Sequence, residues 1–270
     1  MKARILTAVI GIPLLVVLGA FTPVAVWAVL VGLLASAASY ELLHAAVPRV
    51  ALMQLIFASA GCYALVMGAA YGAGVVYDGV VLFLLTAYAG VELMRSLEMQ
   101  HPFCAGDMAV FLMAGGVLPL MFSSLVNLRL SFGWEILFLP FVIAFGTDIF
   151  AFFSGSLFGK KKLCPTVSPH KTVAGALGGL FGAVSCALLY GLLIHALGKT
   201  VNQGVLTVYA GLGSVFAQLG DLTFSAIKRT CGIKDYSKLL PGHGGILDRF
   251  DSVLFTAPLM EILLFLWPVF

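Results

Sequence analysis

Long apolar runs separated by short polar punctuation dominate the chain. They cover approximately Ile5–Phe21, Val24–Leu43, Val50–Ala70, Val75–Met94, Met108–Val126, Ile136–Phe158, Val173–Leu197, Val205–Ile227 and Val253–Phe270. A helix needs roughly 20 such residues to cross a hydrocarbon core of about 30 Å, so each run is a transmembrane candidate. The runs are continuous and rich in Leu, Val, Ala, Gly and Phe. That pattern predicts helices, because a closed barrel would show short strands of alternating polarity. The expectation is an all-α polytopic integral membrane protein of nine transmembrane helices, forming a single integral domain over 1–270. A signal peptide is the competing reading of the first run, since Lys2 and Arg4 precede its apolar core.

Charge placement favours keeping that first run as a span. With the amino terminus inside, all but two of the 15 Lys and Arg residues fall on the cytoplasmic side. Only Arg129 and Lys199 lie outside, the asymmetry that the positive-inside rule describes. The chain would then be a multi-pass protein of the cell inner (plasma) membrane, with its two polar loops, 159–172 and 228–252, facing the cytoplasm.

Composition removes several function classes. Of the 270 residues, 61% are hydrophobic and 10% charged, with a mean hydropathy of +1.08, which excludes a soluble globule. A net charge of +3 on such a chain is no footprint for nucleic acid. The five cysteines form no CxxC pair and no even framework, so neither zinc site nor disulfide scaffold is expected.

The polar residues that remain are concentrated. Asp148 sits inside the apolar run FLPFVIAFGTDIFAFFSG, where an ionised carboxylate costs at least about 2.5 to 3.5 kcal/mol and therefore needs a partner or a wet cavity. It reads equally well as a structural contact between helices. Asp221, Ser225 and Lys228 are spaced four and three apart, so a helix would place all three on one stripe. Carboxylate and hydroxyl oxygens suit a hard cation such as Mg²⁺, and an intrahelical salt bridge is the plainer alternative. In HGGILDRFDS, Asp248 and Asp251 would share a helical face, preceded by Gly244 and Gly245. Those glycines allow backbone N–H groups to approach an anion at the positive end of a helix, although a simple loop-to-helix turn also explains them.

The basic residues of 228–252 are interleaved with carboxylates, which topology alone does not require; mixed acids and bases at one depth look more like a divalent metal with phosphate ligands. The loop GKKKLCPTVSPHKT adds Lys160, Lys161, Lys162, Ser168, His170, Lys171 and Thr172. There is no P-loop, HExxH, GxSxG or GxGxxG, so what remains is phosphate chemistry without a P-loop.

The run from Ser225 to Asp251, with Lys228, Arg229, Lys234, Asp235, Ser237, Pro241, His243, Gly244, Gly245, Asp248, Arg249 and Asp251, resembles the signature of the phosphatidate cytidylyltransferase (CDP-diacylglycerol synthase) family. Gly220-Asp221 and Ser168-Pro169-His170-Lys171-Thr172 resemble it as well. Two positions depart from the pattern. His170 stands where a second Lys is common, and Val173-Ala174 stands where Trp-Glu often precedes the glycine.

The resemblance implies Mg²⁺-dependent transfer of a cytidylyl group from CTP to phosphatidic acid in phospholipid biosynthesis. It implies Asp221, Asp248, Lys228 and Arg249 as catalytic residues, with Asp221, Asp248 and Asp251 on Mg²⁺ and a second cation left open. Ser168, Lys171, Ser225, Arg229, Lys238, His243, Gly244 and Gly245 would bind substrate. A homodimer is a further implication, with the lipid bilayer supplying one substrate. A transporter is the alternative from another class, but no inverted repeat supports it. A CDP-alcohol phosphotransferase would need a DGxxAR motif, whereas Asp78-Gly79 leads into Val-Val-Leu-Phe. A purely structural scaffold would leave the charge pattern of 225–251 unexplained.

Overall fold

The structure is a computed structural model that describes residues 2–47, 50, 52–71, 79, 83, 86–87, 90, 93–94, 105–239, 242 and 244–269. The helices are α1 (Lys2–Phe21), α2 (Val24–Ala46), α3 (Leu52–Ala70), α4 (Ala105–Leu112), α5 (Leu118–Phe132), α6 (Trp134–Leu137), α7 (Leu139–Phe158), α8 (Val173–Ala196), α9 (Gln203–Thr230) and α10 (Leu247–Leu266). A π-helical turn, Met113–Val117, joins α4 to α5, and the strands β1 (Lys162–Cys164) and β2 (Ser168–Thr172) pair between α7 and α8. Among the described residues, five stretches are long and apolar enough to cross a membrane: Val24–Ala46, Gly106–Phe132, Trp134–Phe158, Val173–Ala196 and Gln203–Thr230. The chain is therefore a helical, multi-pass membrane protein. Most of the expected span Val75–Met94 lies outside the described residues.

The chain divides into two compact units, one of Met1–Leu130 with Cys231–Arg249, the other of Ser131–Thr230 with Phe250–Phe270. In the first, α2 packs on α3 through small and hydroxyl residues, because lipid offers helices no hydrophobic reason to associate and close backbone approach must do so. Ser36 Oγ donates to the Ser59 carbonyl at 2.8 Å, and Ser59 Oγ donates back to the Ser36 carbonyl at 3.3 Å. A Cβ on Gly32 would stand 2.8 Å from the Tyr63 ring, so only glycine admits that contact. Trp27, fully buried, donates its indole N–H to the Leu125 carbonyl at 3.2 Å. The π turn, Met-Ala-Gly-Gly-Val, packs against both helices, and Cys62 Sγ reaches its Ala114 carbonyl at 3.1 Å.

The second unit is built on α7 and α8, with α9 across both. Gly175, Gly178, Gly179 and Gly182 line the face of α8 that meets α7. A Cβ at Gly179 would lie 2.9 Å from the Thr147 carbonyl, and one at Gly175 would lie 2.8 Å from that of Ala151. These neighbours are backbone atoms and cannot rotate away. Thr147 Oγ1 and Ser214 Oγ share a hydrogen bond at 3.0 Å, tying α7 to α9. Tyr209 OH donates to the Leu263 carbonyl at 2.6 Å, tying α9 to α10.

The segment expected to be a polar loop, 159–172, is largely an antiparallel hairpin, with Lys162 opposite Thr172 and Cys164 opposite Ser168. The sequence signal was obscured because Pro165 and Pro169 argue against a strand in the middle of a sheet, whereas an isolated two-stranded ribbon is all edge.

Candidate active site

Helix α9 continues unbroken to Thr230, and that places Asp221, Ser225 and Lys228 on one stripe as their spacing predicts. Ser225 Oγ donates to Asp221 Oδ1 at 3.2 Å. From the hairpin, Lys171 brings its ammonium to Asp221 Oδ2 at 2.5 Å. Lys171 is the last residue of β2 before Thr172, whose Oγ1 caps α8 by accepting from the Gly175 N–H at 3.1 Å. The cap holds the strand's end against the helix and so holds Lys171 in place.

Gly220 decides where Asp221 can stand. A Cβ there would collide with the Asp251 carbonyl and lie 3.0 Å from the Phe255 ring, so glycine lets α9 and α10 touch beside the carboxylate. Asp251 is then within electrostatic reach of Asp221, Asp148 and Lys228. Its Oδ1 accepts from the Ser252 N–H at 2.7 Å. Lys228 is only 9% exposed. The carboxylates of Asp148, Asp221 and Asp251 thus cluster with the ammonium groups of Lys171 and Lys228.

A cavity of about 470 Å³ opens alongside, lined by Asp148, Ser156, His170, Lys171, Gln218 and Asp221 among α7, the hairpin, α8 and α9. That size is typical of a small-molecule site. Thr147 is occupied with the Ile143 carbonyl and Ser214, and Asp148 faces the cavity. His170 lines the same cavity. Arg229 turns to the hairpin, its Nε donating to the Val167 carbonyl at 3.3 Å, and Ser168 lies partly buried in β2.

Among the described residues no three His, Cys, Asp or Glu side chains form a ready-made metal cage. Mg²⁺ does not require one, since it commonly takes one or two carboxylates and keeps water and phosphate in its other positions. Asp221 and Asp251, within electrostatic reach of each other, fit that donor set. Cys231 is no ready nucleophile, because burial pushes its thiol up.

The other signature residues belong to the first unit. Asp248, 8% exposed in the first turn of α10, accepts at Oδ2 from the N–H groups of Tyr236 and Gly245, both at 2.9 Å. It thereby closes the loop 236–245 upon itself. Gly244 has φ +85, a left-handed conformation that favours glycine, and a Cβ there would lie 2.8 Å from Asp248 Oδ2. Lys238 and Arg249 are exposed, and His243 lies outside the described residues.

A helix does begin just after the two glycines, as expected, yet the anion at its positive end is supplied by the chain itself. Glu41 of α2 accepts from the Ile246 and Leu247 N–H groups at 3.0 and 2.9 Å and from Ser237 Oγ at 2.6 Å. Sequence reading passed over Glu41. It is a lone acid within an apolar run, the same signal that drew attention to Asp148.

In this multi-pass chain the cavity wall sets the carboxylates of Asp148 and Asp221 beside the Lys171 ammonium. The chain belongs to the cytidylyltransferase family, whose model matches residues 2–267. It is 34% identical over 269 residues to a phosphatidate cytidylyltransferase of Staphylococcus haemolyticus, covering 98% of this chain and 99% of that one. It is 38% identical over 181 residues to the protein of that name from Staphylococcus aureus, covering 67% of this chain and 68% of the relative. The resemblance carried by the 225–251 signature is borne out at the level of family.

Proposed function

We propose that this chain transfers the cytidylyl group of CTP to phosphatidic acid, forming CDP-diacylglycerol and pyrophosphate. The observation that carries the reading is the Lys171–Asp221 pair, 2.5 Å apart on the wall of a cavity in a chain related end to end to a phosphatidate cytidylyltransferase. A phosphatidate oxygen attacks the α-phosphorus of CTP, and the bond from that phosphorus to the β-phosphate oxygen breaks as the new one forms. The attacking oxygen is already anionic, so no strong base is required; the barrier is bringing anions together and stabilising the charge that moves onto pyrophosphate.

Among the described residues the Lys171 ammonium makes no hydrogen bond besides its ion pair, which leaves donors for a phosphate. Lys228, behind it on α9, adds a second positive charge. Ser225 orients Asp221. Asp221 and Asp251 would hold Mg²⁺, which when bound neutralises charge gathering on the transferred and leaving phosphates. For Asp248 the proposed role is to hold the signature loop closed, with its charge tested separately below. Incubating purified protein with CTP, phosphatidic acid and Mg²⁺ tests the reading: CDP-diacylglycerol and pyrophosphate in equal amounts are expected, and their absence refutes it.

Nine spans with the amino terminus and active site cytoplasmic, in the inner membrane, complete the proposal, supported by the placement of basic residues. Alkaline phosphatase fused after Lys199 should be active and after Lys162 inactive; the reverse would refute this orientation. The family resemblance also leads us to propose a homodimer, to be read from the mass of the detergent-solubilised protein.

A further inference from the structure

We propose that Glu41 is a positioning residue for this reaction, fixing the signature loop and the start of α10 from the neighbouring helix α2. The inference rests on the cytidylyltransferase reading above. Glu41 is 3% exposed, within a turn and a half of the carboxyl end of α2. An acid there is disfavoured by the negative end of its own helix and by the loss of water. What compensates is a full set of donors. Oε1 accepts from Ser237 Oγ and the Ile246 N–H, and Oε2 accepts from the Leu247 N–H.

Those donors come from both ends of the loop that carries Lys238, Gly244 and Gly245. Ile246 and Leu247 stand at the opening of α10, where backbone N–H groups have no helical partner. Glu41 therefore does for α10 what a cap does within one chain segment, but from another helix. It also explains Gly245, whose Cβ would collide with the Glu41 carboxylate. Asp248 fastens the same loop from inside through Tyr236 and Gly245. Together the two acids set the backbone from which Lys238 and Arg249 project.

Glu41→Gln is the informative substitution. It keeps size and shape but replaces one acceptor with an NH₂ group, which sets donor against donor at a backbone amide that cannot reorient. Turnover of purified, folded protein should fall about 10- to 100-fold, the cost typical of a misplaced constellation, mainly in kcat and with little change in KM for CTP. Hydrogen exchange should accelerate in the peptide spanning 244–250 and stay unchanged in α8 and α9. Glu41→Asp, which keeps both acceptors on a shorter stem, should recover part of the loss. Wild-type turnover in folded Glu41→Gln would overturn the proposal, as would exchange rising alike in all peptides, the mark of a general stability role. If the wild-type protein makes no CTP-dependent lipid product, the functional reading fails first, and that failure is visible before any variant is compared.

Discussion

Replacing Lys171 by Ala separates the catalytic part of the basic hairpin from the part that only orients the chain. Lys171 and Asp221 are each 27% exposed, so their pair is stronger than a surface salt bridge, worth about 0 to 1 kcal/mol, and weaker than a fully buried one. Its loss should cost about 1 to 2 kcal/mol of stability, which leaves the protein folded. The effect on turnover should be larger. Removing one ammonium leaves Asp148, Asp221 and Asp251 opposed by Lys228 alone, just where an anionic phosphate must approach. One unit charge at 4 Å is worth about 4 kcal/mol at an effective dielectric constant near 20, an upper bound close to 10³-fold in rate. After screening by water in the cavity, about 100-fold is expected. Lys162, exposed on β1, is the control, and its replacement by Ala should change rate by less than about twofold. The assay is incorporation of labelled CTP into lipid, per folded molecule, for both variants side by side. Equal losses, or a Lys171→Ala rate within about threefold of wild type, would refute the assignment.

Asp248→Asn retains an oxygen that can accept from both Tyr236 and Gly245, whereas Asp248→Ala retains none; a loss of turnover in the first with an unchanged melting temperature would show that the charge itself is needed, and a loss confined to the second would assign Asp248 to the loop alone. At the α7–α8 contact, Gly179→Ala should destabilise the protein by about 1 to 3 kcal/mol, because the new methyl meets the Thr147 carbonyl. Gly211→Ala on α9, where nothing lies within 4 Å, should instead stabilise by about 0.5 to 1 kcal/mol. Thermal unfolding in detergent reads both, and a shift of the same sign in the two variants would refute the packing argument.

Much of this molecule was legible in order of sequence because lipid imposes a simple rule. A backbone that cannot bond to water must form helices, so the apolar runs predict α1, α2, α3, α7, α8 and α9 to within a few residues. The Asp221–Ser225–Lys228 stripe was equally legible, since helical spacing is local geometry. The hairpin was not, because its prolines read as loop and its pairing depends on residues up to ten apart. Glu41 was missed for a different reason. Its partners Ser237, Ile246 and Leu247 lie about two hundred residues away, and no local pattern marks a cap supplied from another helix.

By itself, then, the sequence determined the membrane character, the helical class, the family and the short list of acids and bases, all of which follow from composition, period and motif. Tertiary structure decided which of them meet. It placed Asp148 on the wall of the cavity, joined Lys171 to Asp221 through a hairpin and a cap, and gave the positive end of α10 to Glu41. Close approach of segments at glycines such as Gly220, Gly179 and Gly245 shapes these outcomes, and distance between segments is a quantity that no linear pattern contains.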